Sequence, residues 1–122
     1  MNDIFYSIPK FQDFHLEGVR NIHCQEALKL VSSSKALLFD IREVEEYPDG
    51  VPKLVNGYIQ YPMSSFLDYL NSLSSDKYMI IMCAHGIRSM RLAAWLTNNG
   101  WNSVINLDGG FENWKKSGLP MI

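Results

Sequence analysis

The heptapeptide Cys83-Ala84-His85-Gly86-Ile87-Arg88-Ser89 gathers residue types able to do covalent chemistry. It follows the apolar run Tyr78–Met82 and precedes a segment with helical periodicity, so Cys83 falls at a strand end just before a helix. The turn between them must be tight, and Gly86 gives the backbone access to φ values that other residues avoid. The free N–H groups of such a turn, with those of the first helical turn, converge on one point and form an anion nest. A sulfur anion at that point is stabilised, which makes Cys83 the candidate nucleophile. Side-chain charge agrees. No Asp or Glu occurs from Tyr78 to Leu107, whereas Arg88 and Arg91 do, with His85 as a further potential cation. A cysteine in this setting is suited to a small anionic substrate. It can also carry an extra charged sulfur after attack.

Other chemistry-bearing residues have plainer readings. Cys24 starts a helical segment with no Gly-rich turn or basic cluster behind it, so a buried structural role is expected. Arg88 could bind an anionic donor or reach back to a carboxylate and lock the loop. The second role is favoured, with Asp40 as the expected partner. Asp40 and Arg42 are read as structural support for the loop. His85 either steers and hydrogen-bonds substrate or is an exposed loop side chain without a role, and both readings stand. Cys83-Ala84-His85 with His23-Cys24 is the one combination that raises a metal, but its spacing does not match structural zinc patterns. No metal is expected, and no cofactor, since nothing resembles a nucleotide-binding glycine loop. Trp95, Trp101 and Trp114 read as core and surface anchors.

The elements that must hold these residues alternate in type. Val19–Ile22, Ala36–Ile41, Tyr58–Tyr61, Tyr78–Met82 and Val104–Leu107 read as short strands. Helical spacing appears over Gln25–Ser32, from Ser89 to Asn98 and from Phe111 to Lys116. Ser64 and Ser65 offer N-caps for a further helix carrying Phe66, Leu67, Leu70 and Leu73. Glu43–Tyr47 fits one helical turn stopped by Pro48, and residues 48–57 read as a loop. Residues 1–18 are mixed and aromatic, and are expected to pack as an extension on a single domain formed by residues 19–122. Alternating short strands and helices predict an α/β domain with a mainly parallel sheet. Its functional crevice is then expected at the carboxyl ends of the strands, where Asp40, Arg42 and Cys83 fall.

Composition excludes several classes. The chain has 122 residues, 47% of them hydrophobic and 20% charged, which fits one globular domain and not a disordered chain. A net charge of -2 does not suit coating nucleic acid or an anionic membrane, and neither partner is expected. Two cysteines are too few for a disulfide scaffold. The opening residues lack a basic segment before an apolar run, and no apolar stretch is long enough to span a membrane. A reducing cytoplasm is the expected location.

Jointly, several stretches resemble the single-domain rhodaneses, members of the sulfurtransferase family. Asp40-Ile41-Arg42-Glu43 with Glu45-Glu46-Tyr47 is similar to the family's D-x-R-x-x-x-E-[FY] segment. Residues 57–63 (GYIQYPM) resemble G-A-x-N-I-P, and Cys83 to Ser89 match C-x-x-G-x-R-S. Leu107-Asp108-Gly109-Gly110, Trp114 and Gly118-Leu119-Pro120 resemble the family's closing pattern. The resemblance implies a five-stranded, mainly parallel sheet with helices on both faces. It also implies a Cys83 persulfide, loaded from thiosulfate or a similar small anionic donor and cradled by backbone N–H groups of Ala84, His85, Gly86, Ile87 and Arg88, with Ser89 closing the loop. The sulfur would pass to cyanide, a small thiol or a protein thiol. A sulfur carrier or regulatory module that serves only a dedicated partner is the alternative. A cysteine phosphatase fits less well, because four residues separate Cys83 from Arg88 where related phosphatases use five. The chain departs from the pattern at Lys53-Leu54-Val55, at the insertion-like residues 48–52 and at Tyr58, which stands where a small residue is usual.

Overall fold

The computed structural model describes residues 4–73 and 76–122. A six-stranded sheet runs in the order β1-β2-β6-β5-β3-β4. Its strands are β1 (Phe5–Tyr6), β2 (Arg20–Ile22), β3 (Ala36–Asp40), β4 (Tyr58–Gln60), β5 (Tyr78–Met82) and β6 (Val104–Leu107). Helices α1 (Cys24–Ser32), α2 (Ile87–Asn98) and α3 (Gly110–Lys116) complete the layers, with 3-10 segments at Val44–Asp49 and Met63–Ser72. Strands β2 to β6 pair in parallel, as the alternation of elements predicts. The remaining strand, β1, comes from the N-terminal segment and pairs antiparallel with β2, Phe5 opposite Ile22 and Tyr6 opposite Asn21. A strand of this length is too short to show a period in sequence.

Both faces of the sheet are covered, which is why β5 reads as an unbroken apolar run. On one face Phe39, Met79, Ile81 and Val104 pack with Phe66 and with Met90, Ala93 and Leu96 of α2. On the other, Leu38, Ile80, Met82, Ile105 and Leu107 pack with Cys24, Ala27 and Val31 of α1 and with Phe111 and Trp114 of α3. Each fully buried Val, Leu, Ile, Phe or Met among them contributes roughly 1.5–3 kcal/mol by leaving water, so the sheet is a firm base for the loops at its carboxyl end.

Two local expectations differ from the structure. The segment after Pro62 is a 3-10 helix with Pro62 as its cap, while Ser64 instead bonds the Glu43 carboxylate through its N–H (3.0 Å) and hydroxyl (2.9 Å). Pro48 does not stop the preceding turn but lies inside it, and the segment ends at Gly50, φ 96°. In so short a 3-10 run the missing proline N–H forfeits a single bond. Among the described residues no helix is long and apolar enough to cross a membrane.

From β3 the chain moves outward to β4, and from β5 it moves the opposite way to β6. The sheet order therefore reverses between β3 and β5, and loops diverging at such a point open a crevice. Asp40 ends one of these strands and Cys83 follows the other.

Candidate active site

Cys83 leaves β5 and is 1% exposed. Its Sγ accepts hydrogen bonds from the N–H groups of Gly86 (3.2 Å) and Ser89 (3.3 Å), and its thiol donates to Ser89 Oγ (3.3 Å). Gly86 caps α2 at φ 92°, a conformation that L side chains rarely adopt. A Cβ there would also collide with Gln12 Oε1. The first-turn N–H groups of a helix have no intrahelical acceptor, and their positive end favours an anion. In α2 that end is directed at the sulfur.

The loop is held from behind by α3. The carbonyls of Cys83 and Ala84 accept from Phe111 N–H (2.8 Å) and Glu112 N–H (3.0 Å). This approach requires Gly110, at φ 63°, because a Cβ would lie 2.5 Å from the Cys83 carbonyl oxygen and 2.7 Å from that of Ala84. Below the thiol, the buried Ser89 hydroxyl donates to Asn106 Oδ1 (2.6 Å).

Arg88 does lock onto a carboxylate, but the partner is Glu46 and not Asp40. Its two terminal nitrogens each reach a Glu46 oxygen at 2.7 Å. That hydrogen-bonded pairing holds the Glu46 carboxyl down from the ordinary 4.5 to about 2. Asp40 is already filled. It accepts from Arg42 N–H (3.1 Å), Nε (3.1 Å) and Nη2 (2.9 Å), and from the Tyr58 hydroxyl. Burial first, and then Asp40, push the Tyr58 hydroxyl far above its ordinary range, so it remains a donor. The departure at Tyr58 therefore has a use: it closes the polar shell of a buried carboxylate. The Arg42 guanidinium lies 4.0 Å from the Phe111 ring centre and donates to the Gly50 carbonyl (2.9 Å).

His85 is exposed and stands between two depressions. One, of about 400 Å³, is lined by Phe11, Gln12, Phe14 and Ile87. The other, of about 320 Å³, is lined by Glu45, Glu46, Asp49, Ala84 and Glu112. The side-chain positive charge read from the sequence is thus largely engaged: Arg88 by Glu46, and Arg91 over the Phe14 ring at 5.1 Å. What faces Sγ directly is backbone N–H and the Ser89 hydroxyl. Cys24 lies elsewhere, fully buried, with its thiol on Ser117 Oγ (3.4 Å) and accepting from Asn113 Nδ2 (3.6 Å). Burial pushes that thiol up, away from the reactive thiolate.

Sequence reasoning gave no role to Gln12, Asn106 or Asp108. Asn106 and Asp108 carried a usable signal, since polar residues in and just after the apolar run of β6 must have buried partners. Gln12 carried none.

The chain matches the family model described as "Rhodanese-like domain" over residues 23–117. It is 30% identical to a thiosulfate sulfurtransferase GlpE of Actinobacillus succinogenes over 80% of this chain and 85% of that protein. A rhodanese-like domain protein from Staphylococcus aureus superposes with TM-score 0.65 at 29% identity, covering 77% of this chain and 89% of that one. A rhodanese-related protein from Thermoplasma volcanium shares the fold, with TM-score 0.71 at 24% identity over 84% of this chain and 96% of that one. A cysteine nested at a helix N-terminus on a mainly parallel α/β sheet defines the class, and the chain belongs to the rhodanese-like domain family. Curated relatives of the chain carry the name thiosulfate sulfurtransferase.

Proposed function

We propose that the protein moves a sulfane sulfur through a persulfide on Cys83. The observation that carries this reading is the pair of N–H groups, from Gly86 and Ser89, directed at Sγ from the start of α2. The Cys83 thiolate attacks the outer sulfur of thiosulfate or a related donor. A new S–S bond forms, the donor's S–S bond breaks, and sulfite leaves with the electron pair. An acceptor nucleophile, cyanide or a thiolate, then attacks the outer sulfur of the persulfide and returns Cys83 as thiolate. Covalent catalysis divides one difficult transfer into two easier ones. Cys83 is the catalytic residue, and N–H groups of residues 84–88 cradle the outer sulfur. Arg88 shapes the loop through Glu46.

The acidic lining beside His85 favours a second reading. Asp49 and Glu112 share Lys115 (3.8 and 3.2 Å), and Glu46 is held by Arg88. The lining therefore keeps only a modest negative excess, centred on Glu45, which suits a protein partner with basic residues around its thiol better than a free dianion. Under that reading the persulfide is carried to a dedicated acceptor. Intact-mass measurement after thiosulfate, with and without cyanide, tests both. Cys83 is expected to gain one sulfur atom that cyanide removes. Cys83→Ser should gain none, Cys24→Ser should behave like the parent, and no Cys83-dependent hydrolysis of aryl phosphates should occur. A persulfide that resists cyanide and small thiols selects the carrier. Sulfur mapping to Cys24 would sink the assignment.

A further inference from the structure

We propose that Gln12, which lies outside the segment matched by the family model, is a positioning residue for the Cys83 loop. Its role in turnover rests on the sulfur-transfer reading above. Its role in holding the loop does not.

The Gln12 amide works at both ends. Nε2 donates to the carbonyls of Phe14 (2.8 Å) and Gly86 (3.0 Å). Oε1 accepts from Gly109 N–H (2.8 Å) and Asn106 Nδ2 (3.3 Å). These bonds use both donors and both lone pairs of the amide. They also join the two loops that hold Cys83. Gly86 supplies an N–H to Sγ, and its carbonyl belongs to the peptide plane that begins α2. Gly109 caps α3, whose N–H groups hold the Cys83 and Ala84 carbonyls. Fixing both loops to one amide sets the separation between the nest and the backbone behind it.

A polar chain leads from the same amide to the sulfur. Asn106 donates to Gln12 Oε1 and to Asn21 Oδ1 (3.0 Å), which fixes its amide so that Oδ1 faces Ser89. The Ser89 hydroxyl can then donate to Asn106 and accept from the Cys83 thiol. Asn21, Asn106 and Ser89 are fully buried, where a misdirected polar group is costly. Gln12 is itself held in register because the Asp108 carboxylate accepts from the N–H groups of Lys10 (2.7 Å) and Phe11 (3.0 Å) just before it. The Gly86 position completes the fit: the space a side chain would need is filled by Gln12 Oε1.

The test compares Gln12→Met, which keeps the length and loses the bonds, with Gln12→Glu, which keeps the acceptor and loses both donated bonds, to Phe14 and to Gly86. Thiosulfate-to-cyanide transfer is expected to fall about tenfold in kcat, with KM for thiosulfate within about twofold, as for misplaced catalytic geometry. Amide exchange at Gly86 and Ser89, read by NMR, should accelerate about tenfold while Ile80 and Ile81 keep their protection. Should the Met variant not fold, the Glu variant decides. Unchanged kcat and unchanged loop exchange overturn the proposal. So does unchanged kcat with exchange rising across the whole sheet, which marks a mere tether. If the parent forms no persulfide, the sulfur-transfer reading fails and loop exchange alone decides the role of Gln12, unchanged Gly86 and Ser89 exchange overturning it.

Discussion

Asp40 shows how one side chain supports a loop that it does not touch. Its carboxylate is fully buried and receives the Arg42 guanidinium, the Arg42 N–H and the Tyr58 hydroxyl. Arg42, only 2% exposed at its side chain, in turn lies against Phe111 at the start of α3, the helix that holds the Cys83 carbonyl. Neutralising the carboxylate leaves the guanidinium buried without its counter-charge. Asp40→Asn should therefore cost about 3–5 kcal/mol in a urea titration. A loss below about 1 kcal/mol would mean that the pair behaves like an exposed one.

At the scale of elements, the Arg88–Glu46 pair ties α2 to the 3-10 segment after β3. Both side chains are about one-third exposed, so the pair contributes about 1 kcal/mol and not the several expected of a buried one. Its pH dependence has a definite sign. The Glu46 carboxyl sits lower in the folded protein, at about 2, than its ordinary 4.5. The unfolded chain therefore binds the proton first as pH falls. The contribution is complete above about pH 4.5 and is lost as pH falls through about 2. The stability difference between the parent and Glu46→Gln should be constant near neutrality and shrink across that window. A difference that stays flat down to pH 2 would remove Arg88 as the cause.

Over the whole molecule, the N-terminal segment binds loops that are distant in sequence. Tyr6 donates its hydroxyl to Asp108 (2.7 Å), 102 positions away, while β1 extends the sheet beyond β2. Burial and the Asp108 carboxylate both push the Tyr6 hydroxyl above its ordinary range, so the bond persists across the working pH range. Tyr6→Phe removes one bond to a charged group and should lower unfolding free energy by about 1.5 kcal/mol. Turnover by the folded protein should be unchanged, because Lys10 and Phe11 still hold Asp108 and Gln12 still spans the loops. A matching fall in kcat would show that the whole strap, and not Gln12 within it, sets the loop.

What was legible in the sequence was local. The apolar run of β5, the glycine that turns to positive φ and the helical period after it place a cysteine at a strand–helix junction by short-range rules alone. The mainly parallel pairing followed from alternating elements, and the structural reading of Cys24, which the fold buries, from the lack of a Gly-rich turn or basic cluster after it. The partner of Arg88 was not legible, because Asp40 and Glu46 stand only six positions apart, at the end of β3 and in the 3-10 segment after it, and only the fold brings Glu46 level with α2. Nor was the charge at the site. Residues 78–107 read as basic, but acids from other segments neutralise Arg88 and line the depression beside His85. Gln12 is the extreme case: its partners lie 74 to 97 positions away, apart from the nearby Phe14 carbonyl. Sequence determines geometry wherever backbone sterics and periodicity act over a few residues. Pairings across the sheet exist only once the apolar faces have packed and set which loops share its carboxyl edge.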